Sequence, residues 1–104
     1  MSGDVTAAMN PNLNPKRVWC AQQAVTAGAV ALPYQILANG FVLTAKSTNA
    51  GSVWVGDSGV NTTDDGTGTG YKLVPGQSIS FGITNPNGVY IIGTASDVVY
   101  MAGN

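Results

Sequence analysis

Apolar and polar residues alternate along this chain in short bursts, separated by glycine, proline and asparagine. In Phe41-Val42-Leu43-Thr44-Ala45-Lys46, a strand would place Phe41, Leu43 and Ala45 on one face and Val42, Thr44 and Lys46 on the other. Ile79-Ser80-Phe81-Gly82-Ile83 has the same period, which predicts Ile79, Phe81 and Ile83 inward. Val53-Trp54-Val55 turns its valines inward and Trp54 outward. Likewise Val89 and Ile91 oppose Tyr90 and Ile92, and Val98 and Tyr100 oppose Val99 and Met101. Residues 18–25, 29–32 and 71–74 read as further strands. No stretch sustains a 3.6-residue period. Even the alanine-rich residues 21–31 are broken by Val25-Thr26-Ala27-Gly28 and read as strand.

The punctuation is that of turns. Asn39-Gly40, after Pro33-Tyr34-Gln35-Ile36-Leu37, is a strong hairpin dipeptide. Pro75-Gly76 suits the central positions of a type II turn, where the second residue needs a positive φ. Residues 47–51 and Asn85-Pro86-Asn87-Gly88 read as turns, and residues 58–70 as a loop of Thr, Asn, Asp and Gly. Roughly seven or eight strands at roughly ten-residue spacing predict an all-β, single-domain antiparallel β-sandwich of jelly-roll type. Residues 18–104 form that sandwich. Residues 1–17, with Pro11 and Pro15 and no period, read as an extended N-terminal arm: an anchor to a neighbour, or a frayed terminus.

Composition narrows the function. At 104 residues the chain supports one domain with a modest core. Charged residues make up 9%, against about 25% in an ordinary soluble domain. Little repulsion therefore opposes packing many copies together. A net charge of −1 lacks the clustered Lys and Arg of nucleic-acid binding. No run approaches the ~18 apolar residues of a membrane span, and residues 1–17 have no apolar core of a signal peptide. Partners are therefore expected to include neither nucleic acid nor membrane. Cys20 is the single cysteine and makes no internal disulfide.

Chemistry finds little support. Gly56-Asp57-Ser58-Gly59 imitates a hydrolase nucleophile motif in a chain without histidine to take the serine proton, and reads as a turn. Gly66-Thr67-Gly68-Thr69-Gly70 shares only composition with phosphate-binding loops, since a strand follows it rather than a helix. Asp57, Asp64 and Asp65 offer hard oxygens of the kind calcium takes, without EF-hand spacing. No enzyme activity, catalytic residue, metal or cofactor is expected. The outward aromatics matter more. Trp54, Tyr90 and Tyr100 are candidate subunit contacts, with carbohydrate binding a weaker use of the same rings.

The segments Val25-Thr26-Ala27-Gly28, Thr44-Ala45-Lys46-Ser47-Thr48-Asn49, Val53-Trp54-Val55-Gly56-Asp57-Ser58, Leu73-Val74-Pro75-Gly76-Gln77-Ser78 and Val89-Tyr90-Ile91-Ile92-Gly93 follow one another in an order that resembles small β-sandwich structural proteins of tailed bacteriophages. The resemblance spans residues 25–101. It implies a capsid decoration (cement) protein, a homotrimer on the virion head that binds the major capsid protein and is made in the host cytoplasm. On that reading Asn10, Pro11, Asn12, Leu13, Asn14, Pro15, Lys16 and Arg17 are the candidate capsid contacts. A fibre module binding a host receptor or carbohydrate, and a small jelly-roll shell protein, stand as alternatives.

Overall fold

The computed structural model describes residues 17–104. The expected arm, and its candidate contacts from Asn10 to Lys16, lie outside the described residues. The strands are β1 (Trp19–Ala24), β2 (Val30–Ala31), β3 (Phe41–Ala45), β4 (Val53–Gly56), β5 (Tyr71–Leu73), β6 (Ser78–Phe81), β7 (Tyr90–Ile92) and β8 (Val98–Gly103). They form two four-stranded sheets. Sheet A has the order β1-β8-β3-β6 and sheet B the order β2-β7-β4-β5, with every pairing antiparallel. Apart from β4 and β5, no two consecutive strands are sheet neighbours. This interleaving is the jelly-roll form of the β-sandwich.

Alternation builds the core. Along β3, Phe41, Leu43 and Ala45 are buried while Val42 is exposed. They meet Val53, Val55, Leu73 and Ile91 of sheet B, and Val99 and Met101 of β8, in one hydrophobic cluster. Phe41 and Phe81, opposite each other in the β3–β6 register, stack with centroids 5.3 Å apart. Ile79 and Phe81 do turn toward the core, but both remain half-buried on the edge strand. Ile83 corrects the sequence expectation: β6 ends at Phe81, and Ile83 is exposed beyond it.

The turns divide in two. Pro75-Gly76 behaves as expected, with Gly76 at φ +89° and the Gln77 amide donating to the Val74 carbonyl at 2.9 Å. Asn39-Gly40 does not make a hairpin. β2 belongs to sheet B and β3 to sheet A, so the dipeptide turns a crossover between layers. Residues 33–37, expected to lead into that hairpin, form no strand. Gly40 still requires its residue type, because φ is +88° and a Cβ there would run into the Phe81 carbonyl oxygen.

One polar fastener joins the layers. Asp97 is buried just before β8, and its two carboxylate oxygens accept from the Ala50 and Gly51 amides at 2.9 and 3.0 Å. Beside it the Asn49 side chain brackets Val98, donating to its carbonyl and accepting from its amide, both at 2.9 Å. The β3–β4 connection is thereby tied to the start of β8. A buried donor left unmatched costs about 1–3 kcal/mol. Asp97→Ala orphans two such donors and should lower the urea midpoint clearly more than Asp97→Asn, which keeps one acceptor. Equal midpoints for Asp97→Ala and the parent chain would contradict this role.

Candidate interaction surface

The outer face of sheet A is built from the residues that alternation turns away from the core. Four strands bring Cys20, Ala102, Val42 and Ser80 into one row, and Gln22, Tyr100, Thr44 and Ser78 into the next. None of the four strands contains a charged residue. Thr44 and Ser78 share a hydroxyl hydrogen bond of 2.6 Å across the second row. Between β1, β8 and β3 the face dips into an open, mainly apolar depression of about 330 Å³, lined by Cys20, Gln22, Val42, Thr44, Tyr100 and Ala102. Cys20 is a free thiol, exposed at this surface.

Sheet B presents a different outer face. Trp54 stands between its cross-strand neighbours Lys72 and Ile92. The Lys72 ammonium lies 5.5 Å from the Trp54 ring centroid and 3.2 Å from an Asp64 carboxylate oxygen. Val60, only 5% exposed, tucks the 57–70 loop against the glycines on either side: a Cβ at Gly56 would lie 3.1 Å from its Cγ2, and one at Gly70 would lie 3.0 Å from it. Gly70 in turn sits against the Trp54 Cβ. Trp54 is therefore on the outward face, as alternation requires, yet only 8% exposed.

This corrects the expectation that Trp54 is an exposed subunit contact, because the chain covers the ring itself. The same cover removes it as a stacking platform for a sugar. Tyr90 is half-buried opposite Ala31 and Gly56, while Tyr100 is exposed on sheet A. The three aromatics thus belong to two opposed faces rather than to one patch. Arg17 is exposed at the start of the described chain. Val60 escaped sequence reasoning, since a single valine in a polar loop has no periodicity to mark it.

The loop carboxylates are engaged one by one. Asp57 accepts from the Gly59 amide at 2.8 Å, a local turn in which the neighbouring Ser58 is exposed. Asp64 pairs with Lys72. Asp65 accepts from the Thr67 hydroxyl at 2.6 Å and from its amide at 3.0 Å. Among the described residues, no three His, Cys, Asp or Glu side chains gather where they could hold a metal ion. No helix among them is long and apolar enough to cross a membrane.

Comparison with known proteins adds one likeness. No family model matches the sequence. No curated protein matches it either. A solved structure described as "Bacillus endospore appendages form a novel family of disulfide-linked pili" is similar over 85% of each chain, at 21% identity and a TM-score of 0.43. Its disulfide linkage is a property of that protein; the present chain holds one cysteine. The expectation of a phage-head decoration protein is corrected at this point: the similar structure comes from a spore appendage and not from a phage shell. The capsid role is not retained.

The Asp65 geometry makes a titration prediction. Acceptance from the Thr67 hydroxyl, then from its backbone amide, holds the carboxyl below the usual carboxylate range. A lowered folded-state pKa favours folding above the unfolded value, and that contribution is lost as pH falls through the folded one. Side-chain NMR should therefore find Asp65 titrating lower than a free aspartate, with Thr67→Val moving it upward. An unmoved titration in Thr67→Val would contradict the assignment.

Proposed function

We propose that this protein is a non-enzymatic structural subunit that associates with further copies of itself through sheet A. The observation that carries the reading is the contrast between the two sheets. Natural sheets discourage unwanted association with lysine, proline, bulges or covered edges. Sheet B follows that practice: β5 carries Lys72, and β2 is only two residues long. Sheet A has neither device. Its edge strands, β1 and β6, run six and four residues without a charge or a proline.

The outer face between those edges is uncharged as well, with Val42 and Tyr100 exposed beside an apolar depression. Low total charge supports the same reading, because copies of this chain repel one another little. A chain without histidine has few routes to general acid–base catalysis at neutral pH, which favours a structural role over an enzymatic one.

Light scattering on the full chain tests this reading, and it distinguishes a trimer from larger assemblies. The expected mass is a multiple of 10.6 kDa that rises with concentration. Gln22→Lys combined with Ser80→Lys puts positive charge on exposed positions of both edge strands and should weaken association at least about tenfold, or about 1.4 kcal/mol. Thr62→Lys, in the exposed loop beside sheet B, should leave it unchanged. A concentration-independent 10.6 kDa species would overturn the proposal.

A further inference from the structure

The sheet topology says more about how copies would join, and this inference rests on the self-association reading above. Sheet A has an even number of strands, all antiparallel, so its two edges run in opposite directions. When one copy is placed beside another in the same orientation, β6 of the first meets β1 of the second antiparallel. The ladder can therefore continue across the junction without reversing a subunit. Among the described residues, neither β1 nor β6 makes a backbone hydrogen bond on its outer side.

The register within the sheet specifies which residues would meet. Across one subunit, Trp19 lies in a row with Gly103, Phe41 and Phe81, and Cys20 in a row with Ala102, Val42 and Ser80. Ala21 shares a row with Met101, Leu43 and Ile79, and Gln22 shares one with Tyr100, Thr44 and Ser78. Extending these rows without stagger pairs Phe81 with the next copy's Trp19, Ile79 with its Ala21, Ser80 with its Cys20 and Ser78 with its Gln22. The first two pairs fall on the core side and the last two on the outer side, so the pleat continues in phase.

Burial favours this junction. Trp19, Ala21, Ile79 and Phe81 are partly buried hydrophobics packed against the core, and all four stand on the two edge strands. Each edge therefore carries an unfinished row of core. Pairing β6 with β1 sets aromatic against aromatic and Ile79 against the small Ala21, completing both rows at once. A two-fold β1–β1 pairing would leave β6 open, and β6–β6 would leave β1 open. The geometry points to a head-to-tail junction in which β6 of one copy adds to β1 of the next copy of this chain, repeating sheet A along the assembly. Such a contact is heterologous and closes into a ring or continues as a filament, depending on the rotation per copy. Strand spacing of ~4.8 Å gives a repeat of roughly 19 Å for four strands.

Cysteine cross-linking of the full chain tests the junction, using a short bis-maleimide and reading products on a denaturing gel. Ser80→Cys places a thiol opposite the native Cys20 of the next copy and should yield a ladder of covalent multimers. A ladder that stops at three supports the junction in ring form. Ser80→Cys with Cys20→Ala should give no ladder, and the parent chain with Cys20 alone should give none. Dimers from the parent chain would indicate β1–β1 contact, and dimers from the double variant β6–β6 contact; either overturns the proposal. Light scattering on the same samples separates the two claims: multimers that fail to cross-link in Ser80→Cys and in Ser78→Cys would overturn the junction while leaving self-association intact.

Discussion

A strand at the edge of a sheet turns a row of its N–H and C=O groups sideways, and these need a partner of some kind. Water serves for most proteins, and charge or proline keeps other strands away. Here β1 and β6 offer such rows with only Trp, Cys, Ala, Gln, Ser, Ile and Phe around them. Their inward residues are incompletely covered at the same time. Backbone pairing and apolar burial are thus unfinished at the same places, and one event, the arrival of another edge strand, would satisfy both. The functional account follows from that coincidence.

The rest of the sandwich is closed. Leu43, Val53, Ile91 and Val99 are fully buried between the sheets, and no described buried side-chain polar atom lacks a hydrogen-bond partner. The jelly-roll order makes nearly every pairing long-range in sequence, so the loops have to be fastened as well as turned. Asp97 and Asn49 do this for the β3–β4 connection. The Asn85 side chain does it elsewhere, accepting from the Gln35 and Asn87 amides. On sheet B, Val60, Lys72 and Gly70 complete a cover over Trp54. The molecule spends its few charges on that side and on Asp97, leaving sheet A with none.

Strand positions were legible because a two-residue period survives even in short segments. The inward and outward assignments of β3, β4, β7 and β8 follow directly from it. Sheet partnership was not legible, since Asn39-Gly40 has the same local geometry whether it turns a hairpin or a crossover. Ile83 continued the alternation on paper, but β6 had already ended at Phe81. Trp54 shows the limit of alternation as a guide to exposure: the period fixes which face a side chain takes, while a distant loop decides whether that face meets water. The uncharged character of sheet A was visible as low charge overall. Its concentration in one sheet depended on knowing that β1, β8, β3 and β6 lie together.

The most direct measurement is amide hydrogen exchange of the full chain as a function of protein concentration. The account predicts that residues 19–24 and 78–81 gain protection as concentration rises, while residues 71–73 on the lysine-bearing edge of sheet B do not. Identical exchange along β1 and β6 from dilute to concentrated solution would contradict it.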